Sequence, residues 1–207
     1  MSCDARNHCL DHQDDDGGPA TKTGAGNRAG GPMPLAVVVY RPGDPLEQTL
    51  GAVRDRLVAR PATRIAGLVP RYGSPHANGR ASLWLDDVVR GDSIALSQDL
   101  GAGSTSCILS ADGLTMAQVR LAEAIATRPQ LVLFGRFAKE EIAGRGIREE
   151  VGLAVAEDIP AVVAVDRSML PGWIDFAGDD WTELPVDPDA IVAWFDSLAA
   201  QRGTTIG

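Results

Sequence analysis

Cysteine, net positive charge and long apolar runs are all scarce in this 207-residue chain. Its three cysteines, Cys3, Cys9 and Cys107, form an odd and scattered set. That excludes a disulfide framework and leads to the expectation of a reducing, cytoplasmic setting. Nineteen Lys and Arg stand against 28 Asp and Glu, a formal net charge of −9. Such a balance argues against nucleic acid as partner, because a long phosphate backbone must be met by distributed positive charge. No apolar stretch approaches the roughly 20 residues that span a bilayer. The N-terminal MSCDARNHCLDHQDDD also lacks the apolar centre of a secretory signal, so no membrane insertion is expected. Outside the first 33 residues the single histidine is His76, which leaves no credible Ser–His–Asp or Cys–His arrangement.

What is present suits one compact domain with a sizeable core, since 44% of the residues are hydrophobic and 23% charged. Residues 1–33 are rich in Gly, Asp, Asn and Thr and nearly empty of large apolar side chains, and they read as a disordered tail. Cys3, His8, Cys9 and His12 within it match no closed zinc spacing, so no metal is assigned there. From residue 34 to 203 strand and helix signals alternate. LAVVVY (35–40) reads as a strand buried on both faces. Asp44-Pro45 then reads as the cap of a helix with Leu46, Leu50, Val53, Leu57 and Val58 inward, stopped by Pro61. A second strand is expected over 64–69 and a turn-rich loop over 71–81. SLWLDDVV (82–89) and SIALSQ (93–98) read as an antiparallel hairpin around Arg90-Gly91-Asp92. A helix over 114–127 is expected to turn Met116, Val119, Ala122, Ala124 and Ile125 inward. LVLFG (131–135), a helix over 147–157, PAVVAVD (160–166) and a helix from Asp187-Pro188 to Leu198, ended by Gly203, complete the pattern. Strands separated by helices imply a three-layer α/β domain with a mostly parallel sheet.

Four of the apolar runs stop at an arginine: Arg41, Arg71, Arg136 and Arg167. Ligands of open parallel sheets bind outside the carboxyl ends of the strands, where these guanidiniums would gather. Two such charges about 6 Å apart repel by about 3 kcal/mol at an effective dielectric near 20. A convergent cluster therefore needs nearby carboxylates, such as Glu140, Glu141 or Asp166, or a bound anion. Lys139, Arg145 and Arg148 follow the third core strand in KEEIAGRGIRE, where Gly144 and Gly146 allow sharp turns. DLGAGSTSC (99–107) adds small residues and the hydroxyls of Ser104, Thr105 and Ser106, a composition that can form an anion-binding nest. Cys107 reads as a buried small hydrophobe, and Trp173, Phe176, Trp181 and Trp194 read as packing residues.

A phosphate-binding loop G-x-x-x-x-G-K-[ST] would be expected after the first strand of a nucleotide enzyme. The chain has PGDPLEQT (42–49) instead. With Thr49 at the hydroxyl position, Pro42 and Glu47 replace the two glycines and Gln48 replaces the lysine. This removes an amide donor and places negative charge where phosphate would lie, against ordinary ATP or GTP hydrolysis.

AGLVP, LWLDDVVRGDSIALSQDLGAG, CILSADGL and the stretch from LFGRFAKEE to WIDFAG resemble a bacterial family of unknown function, domain family 2478. The resemblance covers roughly residues 35–198 and is most specific from Phe134 to Phe176. Genes of that family often lie beside molybdate-transport genes, and its layout is similar to small P-loop nucleoside-triphosphatases with a β-hairpin after the second strand. The resemblance therefore implies a P-loop-NTPase-like fold and a link to molybdenum or tungsten handling. It also sets LVLFGRFAKEE in the place of the second phosphate-binding strand, where Gly135 and Arg136 stand instead of an acidic magnesium ligand. The reading expected to hold is a non-hydrolytic protein that binds molybdate, tungstate or a similar oxyanion, with no cofactor otherwise assigned. Two others stay open: a nucleotide enzyme with an unorthodox site of Arg136, Lys139 and Glu141, and a protein-interaction module without a ligand. A homo-oligomer is also left open.

Overall fold

A computed structural model describes residues 34–76, 81–98 and 109–204, with side chains through residue 201. The tail with its Cys and His residues, and the loop carrying Ser104, Thr105, Ser106 and Cys107, lie outside the described residues. In chain order the strands are β1 (Leu35–Tyr40), β2 (Ile65–Pro75), β3 (Ala81–Asp87), β4 (Ser93–Ala95), β5 (Leu131–Phe137), β6 (Ala161–Asp166) and β7 (Thr182–Leu184). The helices are α1 (Leu46–Val58), α2 (Ala111–Ala126), α3 (Lys139–Ile142), α4 (Arg148–Ala156), α5 (Leu170–Ala177) and α6 (Pro188–Thr204). Together the strands form one sheet of order β4-β3-β2-β5-β6-β1-β7. Pairs within β2-β5-β6-β1-β7 are parallel, and the β3–β4 hairpin adds antiparallel to the outer edge of β2.

The parallel core explains why β1 and β6 read as unbroken apolar runs. Leu35, Val37 and Val39 face the layer built by α2, α4 and α5, while Ala36, Val38 and Tyr40 face α1 and α6. Helices on both faces bury successive residues of one strand in two separate cores. On α1 the inward row is Leu46, Leu50, Val53 and Leu57, whereas Val58 is exposed, one position beyond the edge of the stripe. Asp44 does not cap that helix. Its Oδ2 accepts the Arg41 amide at 2.7 Å and closes the preceding turn. At the far end Asp187 does cap α6, accepting the Asp189 amide at 3.0 Å, and the helix runs on through Gly203.

Helix α2 departs from the expected phase. It starts at Ala111, with Ser110 Oγ accepting the Gly113 amide at 3.0 Å, and it buries Ala117, Leu121 and Ile125. Met116 and Val119 are about half exposed, and Ala122 and Ala124 are only partly buried. Contact with the hairpin decides this: a Cβ on Gly113 would lie 2.3 Å from the Ala95 carbonyl oxygen. Only the glycine face of α2 can come that close. The expected loop after the second strand is likewise partly strand, because β2 continues past Val69 and pairs Arg71 with Trp84 and Tyr72 with Leu83. Buried Asp87 holds the β3–β4 turn by accepting the amides of Val89 and Arg90 at 2.9 and 3.0 Å. Three short elements, α3, α5 and β7, went unseen in the sequence, each too brief for a periodic signal.

One buried carboxyl works against stability. Glu150 of α4 is 8% exposed, its Oε2 is buried without a hydrogen-bond partner, and burial raises its pKa. A carboxyl that holds its proton more tightly folded than unfolded favours folding below the ordinary pKa, and that advantage is lost as pH rises through the folded value. Glu150→Gln is therefore expected to raise the melting temperature at pH 7. The gain should vanish as the pH falls below the usual glutamate range, which thermal unfolding across pH 3 to 8 measures.

Candidate functional site at the carboxyl edge of the sheet

Tyr40, Arg136 and Asp166 stand together at the carboxyl ends of β1, β5 and β6. Tyr40 is in register with Asp166, and Arg136 with Ala164. A bulge decides where Arg136 points. Between Leu133 and Arg136 β5 advances three residues while β6 advances two, so Phe134 and Phe137 both face the α2–α4 layer. The extra residue inverts the alternation and turns the Arg136 side chain toward Tyr40. Its guanidinium carbon lies 5.5 Å from the Tyr40 ring centroid and 5.0 Å from that of Tyr72 on β2. Rings at these distances hold a cation without neutralising it. Among the described residues no carboxylate makes an ion pair with Arg136, and its Nε is buried with no hydrogen-bond partner.

The surroundings respond to that charge. Asp166 is held below the ordinary carboxylate range, chiefly by the Ser168 hydroxyl at 2.6 Å and amide at 2.8 Å, with the Arg136 charge adding to them. Burial pushes the Tyr40 phenol up, and the Arg136 charge opposes the shift.

The other arginines singled out from the sequence do not join it. Arg71 donates through Nε to both Asp86 oxygens at 2.9 and 3.0 Å, reaches Ser93 Oγ at 3.1 Å, and lies over the Trp84 ring. Arg167 pairs with Glu183 at 3.3 Å, and Arg145 with Glu140 at 2.8 Å, which keeps Glu140 below its ordinary range. Arg148 donates to the Glu141 carbonyl at 3.2 Å and packs over the Phe176 ring. The expected gathering of four guanidiniums thus reduces to Arg136 at the centre and exposed Arg41, which has no side-chain ion pair among the described residues. Exposed pairs such as Arg167–Glu183 are individually worth little, so they can exchange partners. Arg71 is fixed by three contacts. Lys139 is exposed at the start of α3.

Glu141 serves the backbone. It is 5% exposed, and its two oxygens accept the amides of Ala138 at 2.8 Å and Ile147 at 3.2 Å. Gly146, at φ +63°, leaves room for it, since a Cβ there would fall 2.0 Å from Glu141 Oε1. The carboxylate therefore folds the 138–147 loop and is not free to act as a base.

The turn after β1 spends its amides internally. The Arg41 N–H goes to Asp44 Oδ2, that of Asp44 to the Arg41 carbonyl at 3.0 Å, and that of Leu46 to the Asp44 carbonyl at 2.8 Å. Pro42 and Pro45 have none, which leaves Gly43. Thr49, the hydroxyl matched to a magnesium ligand, is buried within α1. No group of three or more His, Cys, Asp or Glu side chains is placed to hold a metal ion among the described residues. No helix among them is long and apolar enough to cross a membrane.

Sequence reasoning missed Tyr40 and Tyr72. The dipeptides Tyr40-Arg41 and Arg71-Tyr72 carried the signal, but the arginine that both rings hold is Arg136, distant in sequence from either.

Comparison with known proteins bears on both fold and site. The profile of a family described as protein of unknown function, DUF2478, matches residues 35–194. Over 170 residues the chain is 36% identical to the molybdenum import ATP-binding protein ModC 2 of Bradyrhizobium diazoefficiens. That match takes in 82% of this chain but 19% of the relative, so the chain spans about a fifth of its length. The crystal structure of THEP1 from the hyperthermophile Aquifex aeolicus aligns with a TM-score of 0.54 at 13% identity, covering 80% of this chain and 97% of THEP1. The fold is P-loop-NTPase-like, carried on a seven-stranded, mostly parallel sheet.

Proposed function

The chain belongs to the DUF2478 family, and on that premise we propose that it is a non-hydrolytic binding protein for molybdate, tungstate or a similar oxyanion. One observation carries the reading: Arg136 is a guanidinium held between two tyrosine rings, with a buried, unpartnered Nε and no ion pair among the described residues. An anion at that edge would complete its hydrogen bonding, each charge-assisted bond contributing about 1.5–3 kcal/mol. Arg41 and the pairs of Arg167 and Arg145 stand at the same carboxyl edge, or in the loops that leave it, as sources of further donors. Lys139 and the hydroxyls of Ser104, Thr105 and Ser106 are assigned to the same site by sequence.

Hydrolysis is disfavoured by the same geometry. A phosphoryl-transfer site needs free loop amides, a lysine and a magnesium ligand. The turn at 41–46 has consumed its amides except that of Gly43, and β5 carries Arg136 at its end. The link to molybdenum rests on the relative's name, which describes a protein about five times the length of the matched stretch. The likeness of fold also supports a second reading, a nucleotide at this edge.

Calorimetric titration of the full chain at low ionic strength separates these readings. Molybdate and tungstate are expected to bind saturably, and Arg136→Ala to weaken binding at least about tenfold, one charge-assisted bond. Arg71→Ala should leave the affinity nearly unchanged, since its guanidinium is already committed to Asp86. No saturable heat with any oxyanion sinks the proposal. Magnesium-dependent phosphate release from ATP, lost in Lys139→Ala, would replace it with the nucleotide reading.

A further inference from the structure

β5 contains a glycine that nothing in its own geometry requires. Gly135 sits in the bulge, yet its φ is not among the positive ones, so the backbone would accept any L residue. Space does not forbid one either. A Cβ at 135 would lie 3.5 Å from the Leu68 carbonyl oxygen, 3.7 Å from Leu85 Cδ2 and 3.9 Å from Pro70 Cδ, all ordinary contacts. A strand-interior glycine forgoes packing and costs backbone entropy, and often marks the close approach of a ligand. Here the missing side chain adjoins a cavity of about 60 Å³ beneath α2, between the sheet, the hairpin and the 138–147 loop. Leu68, Pro70, Leu85 and Leu121 are among its walls, with Gly135 and Arg136 at one side.

The chemistry of that wall is one-sided. Apart from Arg136, its charged group is Glu141, whose oxygens are taken by the Ala138 and Ile147 amides. The leucines offer nothing to replace the hydration of a bare oxyanion, whereas carbon is welcome there. From the juxtaposition of this apolar cavity, the open Gly135 and the lining residue Arg136, whose guanidinium has no ion pair among the described residues, we propose that the site takes an organic anion: a carboxylate or phosphate ester whose apolar body enters beside Gly135 while its charged group reaches Arg136 at the carboxyl edge. This rests on the same guanidinium as the proposed oxyanion site and adds the class of molecule that carries the anion. The cavity makes the apolar body a determinant of affinity.

Phenyl phosphate, inorganic phosphate, molybdate and benzyl alcohol are suitable probes, titrated calorimetrically into the full chain. Phenyl phosphate is expected to bind at least about tenfold more tightly than inorganic phosphate, and benzyl alcohol more weakly than phenyl phosphate. Gly135→Val, which fills the entrance, should abolish the tenfold preference and leave the affinity for inorganic phosphate intact. Gly135→Ala, which the contacts above accommodate, should fold normally and show a reduced preference, so the test stands even if the valine variant does not fold. Equal affinities for phenyl phosphate and phosphate, or a preference untouched by both variants, overturn the organic-anion assignment while molybdate binding stays as measured. Absence of binding by phosphate, phenyl phosphate and molybdate alike overturns both this inference and the oxyanion site.

Discussion

Gly67→Ala is expected to leave almost no folded protein. Gly67 lies in β2 at φ +131°, and a Cβ there would sit 2.0 Å from the Leu133 carbonyl oxygen and 2.7 Å from the Leu133 carbon and nitrogen. The obstacle is backbone of the adjacent central strand, so no side chain can rotate out of the way. Relief requires separating β2 from β5, whose parallel pairing runs through Ile65, Ala66 and Gly67. The same separation would disturb the bond from the Val88 amide to the Gly67 carbonyl, at 3.1 Å, that ties the hairpin turn to the sheet. Strain combined with lost pairing places the cost at about 4 kcal/mol or more, in the exceptional tail for single substitutions. Native domains hold only about 5–15 kcal/mol in all. Soluble yield and urea unfolding followed by circular dichroism give the answer. A variant with a wild-type midpoint would show that the β2–β5 contact is not as close as described. Gly135→Ala on β5 is the matched control, since the same methyl group meets only ordinary contacts there.

Trp173→Ala should cost about 3–5 kcal/mol, the usual range for emptying a large aromatic from a core. Trp173 of α5 is fully buried and meets Phe137 edge-on at 4.9 Å, with Phe176 at 5.7 Å and Trp181 at 6.5 Å. This cluster fastens α5 to the end of β5. Its Nε1 has no hydrogen-bond partner, so Trp173→Phe loses shape but no bond, and should cost much less. Because Phe137 follows Arg136 directly, the alanine variant is also expected to weaken oxyanion binding. A fall in the denaturation midpoint without change in the slope identifies a loss of native packing. A midpoint within experimental error of wild type would remove the cluster from the account of the core.

Much of the fold could be read in the residues, because the signals there are local. LAVVVY and PAVVAVD are too apolar and β-branched for anything but strands covered on both faces, and β1 and β6 are just that. The hairpin was legible from two alternating runs around Arg90-Gly91-Asp92. The α2 stripe was legible only at Ile125, since Ala117 and Leu121 are buried with it while Met116 and Val119 are about half exposed. Close approach to Ala95 at Gly113 set the phase of the helix instead. At the site, the positions of Arg41, Arg136 and Arg167 near strand ends were legible, but their partners were not. Arg71 finds Asp86 across the β2–β3 pair, and Arg167 finds Glu183 on β7, an element too short to foresee.

By itself, then, the sequence determined the order of the longer strands and helices, the two-sided burial of the central strands and the position of the hairpin, since each depends on composition and period within a few neighbouring residues. Tertiary structure alone decided that Arg136, among the described residues, lies against two rings and pairs with no carboxylate. That outcome turns on one extra residue in β5, two tyrosines from other strands and carboxylates brought near by folding. A long, flexible arginine side chain has several partners within reach, and only the packed chain selects among them.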